Sequence, residues 1–283
     1  MAIDKLEYER VALKANIDNK KSMANKILIT GGTGHLGQKI VQLIKSKEYE
    51  VSILTSKSGL KNEDNITYFT GNLSQNIGLK EATKDINTII HCASNPRDFE
   101  KVDIEGTQNL LNSIDKNSIK HLVYISIVGI HKSDYPYYQA KLKVENILEN
   151  SGIPYTIVRT TQFHSFVFNL IQSLINETAS EKSVLKIPEG LKFQSIATDE
   201  VAKLLVKTAL QPPQGLLPDF GGPEMFSFDE MTATYLKKSQ LNWNIEPEPT
   251  NNIRHQLFRT GINLCPDNAF GKETWELFLE KSI

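Results

Sequence analysis

The sequence predicts an α/β fold: a doubly wound parallel sheet followed by a smaller C-terminal lobe. Three observations predict it. Short apolar runs alternate with helical apolar spacing from residue 26 to about residue 160. The first run, Lys26-Ile-Leu-Ile-Thr30, stops directly at a cluster of glycines. Beyond about residue 160 the alternation breaks into short runs punctuated by Pro212-Pro213, Pro218 and Gly221-Gly222-Pro223.

The elements follow in order. After the glycines, Leu36, Ile40, Val41, Leu43 and Ile44 have helical spacing. Strands are expected at Val51–Leu54, Ile66–Phe69, Thr88–His91 and Leu122–Ser126. Between the last two, Val102, Ile104, Leu110, Leu111 and Ile114 predict a helix. A further helix runs from about Tyr137 to Glu149 and ends at Asn150-Ser151-Gly152, before the strand Tyr155–Arg159. In the second half, short strands are expected at Val184–Ile187 and Lys192–Ile196. A helix follows from Thr198, whose hydroxyl is a candidate cap. This gives an N-terminal extension (1–25), a nucleotide-binding core (26–160), and a lobe with terminal helices (161–283), integrated as one domain. The lobe is expected over the carboxyl edge of the sheet, where open α/β sheets bind ligands.

Composition narrows the function classes. Lys plus Arg is 32 and Asp plus Glu is 33, a net charge of −1, so no electrostatic case exists for nucleic acid or an anionic membrane. Cys92 and Cys265 form no metal-type or redox-type pair, which fits a reducing, cytoplasmic setting. No uncharged apolar run reaches the ~18 residues of a membrane helix. The six histidines lack metal-ligand spacing, so no metal site is expected. No GxSxG elbow appears, against an α/β-hydrolase.

The loop Thr30-Gly-Gly-Thr-Gly-His-Leu-Gly37 joins the first strand to the first helix. Gly31, Gly34 and Gly37 permit a tight turn, close approach to a pyrophosphate and close helix–strand packing. The helix then turns its free N–H groups toward phosphate. A Rossmann-type dinucleotide site is expected. At the end of the second strand, Val51-Ser-Ile-Leu-Thr-Ser-Lys-Ser58 carries no acid for a ribose 2′-hydroxyl. Ser56 and Lys57 could receive a 2′-phosphate, so NADP is favoured, with NAD left open and a solvated loop lysine as the plainer reading.

Further motifs extend the pattern: Gly71-Asn-Leu73, His91-Cys-Ala-Ser94, Tyr124-Ile-Ser-Ile-Val-Gly129 and Tyr137-Tyr-Gln-Ala-Lys141. With the glycine loop, Pro154-Tyr-Thr-Ile-Val-Arg-Thr-Thr-Gln-Phe-His164 and Gly221-Gly-Pro-Glu224, they resemble atypical short-chain dehydrogenases/reductases, nearest the NmrA-like NAD(P)H-binding oxidoreductases. The resemblance covers roughly residues 25–280. It implies that Gly31, Thr33, Gly34, His35, Leu36 and Gly37 form the pyrophosphate loop. Asn72 and Leu73 would lie by the adenine, where the family commonly has Asp in place of Asn72. Cys92, Ala93 and Ser94 would flank the cofactor ribose. Thr160–Phe163 would border the nicotinamide.

Tyr137 and Lys141 are four apart on a predicted helix and share a face. A neighbouring ammonium and an oxidised nicotinamide would favour a phenolate, letting Tyr137 shuttle a proton as hydride moves. Ser126 would polarise the same oxygen. Lys141 would also hold the nicotinamide ribose. Phe163 and His164 fall where a substrate pocket would open. His164 is a candidate substrate contact or proton donor, beside a structural, hydrogen-bonded reading. His91 and His121 are expected to be structural, and Trp243, Phe258, Trp275 and Phe278 to pack the terminal helices. The expected activity is hydride transfer between NAD(P) and a small carbonyl, quinone or related substrate. The alternatives are a non-catalytic NAD(P)-sensing protein and a nucleotide-sugar epimerase or dehydratase. The helices leave a homodimer open.

Overall fold

In a computed structural model the chain is described over residues 26–45, 49–178 and 184–283. The N-terminal extension lies outside the described residues. Seven parallel strands form the main sheet: β1 (Lys26–Thr30), β2 (Glu50–Thr55), β3 (Ile66–Thr70), β4 (Thr88–His91), β5 (His121–Ile127), β6 (Tyr155–Thr160) and β9 (Gly215–Leu216). Their spatial order is β3-β2-β1-β4-β5-β6-β9. The order reverses between β1 and β4, and a crevice opens at such a switch point. β1 is the central strand, with Ile29 opposite Ile53 on β2 and Ile90 on β4. Such near-continuous aliphatic strands suit a sheet covered on both faces.

Helices cover each face. On one side lie α1 (His35–Lys45) and α6 (Thr198–Ala209). Leu36, Ile40 and Ile44 recur every fourth residue on α1, so one stripe is buried against the sheet with Val201, Leu204 and Leu205 of α6. On the other side lie α2 (Leu79–Ala82), α3 (Gly106–Ser113) and α4 (Pro136–Glu149). They bury Leu79, Leu110, Leu111, Val144 and Leu148. Each fully buried aliphatic side chain contributes ~1.5–3 kcal/mol.

The remaining segments build a third core. It comprises α5 (His164–Glu177), the parallel pair β7 (Val184–Pro188) and β11 (Asn244–Glu248), and the antiparallel pair β8 (Lys192–Phe193) and β10 (Phe226–Ser227). The helices α7 (Phe228–Lys238), α8 (Ile253–Thr260) and α9 (Trp275–Ser282) close it. Phe193, Phe228, Phe258, Trp275 and Leu279 are buried there, with Trp243 and Phe278 packed against them. Trp275 Nε1 donates to the Met231 carbonyl at 3.1 Å.

Two local expectations are corrected. The strand expected over Lys192–Ile196 ends at Phe193, because the next residues turn back toward β6, where Ile196 N donates to Gln162 O at 2.9 Å. Thr198 does not cap α6: its Oγ1 lies 3.1 Å from His35 Nε2, and Ala197 is the N-cap residue. The sheet layer draws on both halves of the chain. α6 and β9 complete the sheet layer after the chain has passed through α5, β7 and β8. Among the described residues no helix is long and apolar enough to cross a membrane.

Candidate functional site

The glycine loop occupies the switch point. Gly31 has φ +69°, a left-handed conformation that glycine adopts without strain. A Cβ there would come within 2.8 Å of Ala93 N, just past β4. A Cβ on Gly37 would collide with the Gly31 carbonyl. The loop is thus bare backbone pressed against the carboxyl ends of β1 and β4, with a cavity on either side.

The first cavity, of about 300 Å³, is lined by Gly31, Thr33, Ser56, Asn72, Leu73 and Ala93, with Leu54, Thr55 and Ser74. Thr33 Oγ1 and Thr55 Oγ1 are 3.0 Å apart, which ties the loop to β2. Asn72 Oδ1 accepts from Ser74 N (2.9 Å), Ser74 Oγ (2.8 Å) and Gln75 N (3.3 Å). Its acceptor is spent on its own turn, so only the amide donor is left for a ligand. Lys57 is exposed, outside this lining and one residue beyond Ser56. His35 is exposed and engaged with Thr198.

The second cavity, of about 290 Å³, brings together Leu36, Cys92, Ser94, Ser126, Tyr137, Lys141 and Phe163. Tyr135, Tyr138, Phe166 and Phe258 add aromatic walls. Pro136 opens α4 at its first position, where its missing N–H costs nothing, and so sets Tyr137 at the helix mouth. Lys141, one turn later, is only 2% exposed. Ser126 lines this cavity, and among the described residues its buried Oγ has no hydrogen-bond partner.

A residue missed in the sequence organises the site. Asp103, 1% exposed, sits in a π-helical turn over Glu100–Glu105. Ser94 Oγ donates to Asp103 Oδ1 at 2.6 Å, and Asn95 N to Oδ2 at 3.0 Å. Tyr137 Oη lies 2.8 Å from Ser94 Oγ. Since the serine proton points at the carboxylate, the phenol is the donor in that bond. Lys141 Nζ is 3.8 Å from Asp103 Oδ1, donates to Ile125 O at 3.0 Å and lies 4.3 Å from the Tyr124 ring centroid. The available signal was weak: Asp103 lies between the apolar Val102 and Ile104, but Glu100, Lys101 and Glu105 surround it with other charges.

This network reverses one electrostatic expectation. Burial first, then the Asp103 charge, pushes the Tyr137 phenol well above its ordinary range, and the Ser94 bond opposes them. The Lys141 ammonium faces Asp103, whose charge opposes the phenolate expected from the spacing of Tyr137 and Lys141. Burial lowers the Lys141 ammonium, with Asp103 opposing. Burial pushes the Cys92 thiol up to about 12, against the thiolate form, and Cys92 lines the cavity wall.

The histidines are structural. His164 is 1% exposed and absent from the cavity lining. Its Nδ1 is 2.7 Å from Ser195 Oγ and its Nε2 2.9 Å from Glu273 O, so it is neither a substrate contact nor a proton donor. His91 bridges Thr30 (2.6 Å) and Thr107 (2.9 Å), and burial lowers it to about 3. His121 Nε2 lies 2.8 Å from Thr156 Oγ1. Phe258 packs the terminal helices as expected and also walls the cavity. Among the described residues no cluster of His, Cys, Asp and Glu could hold a metal ion.

Comparison with known proteins follows the same lines. A family model described as NAD(P)H-binding matches residues 31–212. The photosystem II assembly factor Ycf39 of Synechocystis is 29% identical over 192 residues, 64% of this chain and 57% of that protein. The human sterol-4-alpha-carboxylate 3-dehydrogenase is 29% identical over 126 residues, 41% of this chain and 34% of that protein. The chain therefore spans between a third and six-tenths of these relatives. Among solved structures, a nucleoside-diphosphate-sugar epimerase from Staphylococcus aureus superposes with a TM-score of 0.72 at 19% identity, covering 90% of this chain and 99% of that one. An NADPH-dependent quinone oxidoreductase from Escherichia coli gives 0.69 at 14% identity, covering 90% and 99%. At these identities the likeness is one of fold.

Proposed function

The chain belongs to the NAD(P)H-binding family, and on that premise we propose that it is an oxidoreductase that reduces a small carbonyl, quinone or related compound with NADPH. The residues fit the cofactor: a Cβ would fill the cradle at Gly31, and the two cavities flank that cradle. Gly31, Thr33, Gly34 and the start of α1 would hold the pyrophosphate. Asn72 and Leu73 would meet the adenine, with the Asn72 amide as donor. Ser56 and Lys57 would take the 2′-phosphate. When bound, the dinucleotide supplies the hydride.

The remaining chemistry belongs to the chain. Tyr137 gives its phenolic proton to the carbonyl oxygen as hydride reaches the carbonyl carbon, so the product is an alcohol. Ser126 Oγ donates a hydrogen bond to the same oxygen. Ser94, Asp103 and Lys141 hold the phenol in place, and Asp103 keeps it protonated until substrate arrives. The aromatic walls exclude water and favour an apolar substrate.

One observation carries this reading. Among the described residues Ser126 Oγ is a buried hydroxyl without a partner, on the same cavity as the Tyr137 phenol, which burial and Asp103 push upward. A buried hydroxyl left unsatisfied costs ~1–3 kcal/mol, which a substrate oxygen would offset. The test is calorimetric titration with NADPH, NADP⁺, NADH and NAD⁺, then turnover of a carbonyl and quinone panel with Tyr137→Phe as control. Binding of none of the four overturns the cofactor assignment. Normal turnover by Tyr137→Phe overturns the proton donor. Binding without turnover of any compound favours a second reading, a cofactor-regulated partner of other proteins, which the similarity to photosystem II assembly factors supports.

A further inference from the structure

The second cavity has one uncommitted charge. Arg254 lies at the start of α8, where its backbone N–H is capped by Asn252 Oδ1 at 2.9 Å. Arg254 and Phe258, one turn apart, line the same cavity as Ser126 and Tyr137. The other described arginines differ. Arg159 donates to both Glu145 oxygens, at 2.9 and 2.5 Å. Arg259 donates to Glu189 O at 2.9 Å, and to Thr250 O and Oγ1 at 2.7 and 3.1 Å. Arg97 is exposed and lines neither cavity. Among the described residues the Arg254 guanidinium has no hydrogen bond, ion pair or ring partner.

Nothing in the wall neutralises it. No Asp or Glu lines the cavity, and the other cation there, Lys141, is held by Ile125 O and Asp103. Arg254 is half-buried, and its guanidinium carries five donors in a rigid fork on a cavity whose other walls include Tyr135, Phe163 and Phe166. A carboxylate is the complement that satisfies those donors, often in bidentate form. A diphosphate is shared among several donors, and here a single free guanidinium is on offer.

We propose that Arg254 anchors an anionic group of the substrate, making the substrate an apolar carbonyl compound that carries a carboxylate. This rests on the reductase reading above. The carbonyl carbon takes hydride from NADPH and its oxygen takes the Tyr137 proton. The products are a hydroxy acid and NADP⁺, and the carboxylate is unchanged.

The test compares 4-carboxybenzaldehyde with 4-methylbenzaldehyde, and 4-methylbenzoate with 4-methylbenzamide as non-reacting probes. The wild-type protein is expected to favour the carboxylated aldehyde at least ~10-fold in kcat/KM, mostly through KM. Arg254→Met should bring that ratio near one, with Arg254→Lys between them. Calorimetry with NADP⁺ present should give Arg254-dependent binding of the benzoate and not of the benzamide. If no aldehyde turns over but the benzoate titration depends on Arg254, the reductase reading fails and the anchor stands. An equal wild-type preference, a preference kept by Arg254→Met, or absence of benzoate binding overturns the anchor. Arg254-dependent binding of UDP-glucose in place of the benzoate also overturns it, in favour of a nucleotide sugar.

Discussion

The two cavities beside the glycine loop are similar in volume and opposite in construction. The one lined by Thr33, Ser56 and Asn72 is made from turns and strand ends between residues 31 and 102. It presents backbone, small hydroxyls, one amide, the Asp98 carboxylate and the aliphatic Leu54, Leu73 and Val102. The other draws on residues from Leu36 to Phe258 and presents rings, a buried serine and two cations. The first is a surface that any adenine dinucleotide could meet. The second depends on which side chains the lobe supplies. A chain that keeps one and varies the other keeps its cofactor while changing its substrate.

Variants in one cavity should leave the other intact. The largest separation is expected for Tyr137→Phe: kcat falls ~100-fold or more while nucleotide affinity stays within about threefold. Stopped-assay rates and calorimetry on the same sample decide it. Asp103→Asn comes next. It leaves the Lys141 ammonium buried with one carbonyl partner and costs ~3 kcal/mol of stability, read as a lower melting temperature. It also removes a negative charge that raises the Tyr137 phenol. Reduction requires that proton, so the alkaline limb of the rate profile should move to lower pH. An unmoved limb would separate Asp103 from the phenol.

Gly31→Ala tests what the cavities share. A left-handed φ and a Cβ 2.8 Å from Ala93 N force the loop off β4, so affinity for all four nucleotides should fall ~10-fold or more. The smallest effect is expected at Lys57. As an exposed charge it contributes ~0.5–1 kcal/mol, so Lys57→Ala should weaken NADPH about threefold and leave NADH unchanged. Equal loss for both would remove the 2′-phosphate assignment.

Much of this arrangement was legible in sequence. The strand rhythm marked the first six strands and a parallel, doubly wound sheet, and the glycine spacing located the loop. Ser126, Tyr137, Lys141 and Phe163 do meet at one cavity. What escaped is long-range. Asp103 reads as one more charge on a helix until Ser94 and Lys141 close on it from β4 and α4. His164 follows the β6 strand like a pocket residue, yet the Ser195 hydroxyl and the Glu273 carbonyl engage both ring nitrogens. Arg254 lies 113 residues beyond Lys141, and no local pattern links them. β9 has two residues, too short for any periodicity to mark.

That last strand has a consequence for synthesis. β6 is edged by Gly215–Leu216, and the α1 side of the sheet is roofed by α6, both from beyond the lobe's first segments. When the ribosome has made only the first 160 residues, the aliphatic face destined for Val201 and Leu205 is bare and β6 is an open edge. Open edges and bare apolar faces invite association with other chains. A chain cut at the end of β6 would therefore expose that edge and that apolar face together.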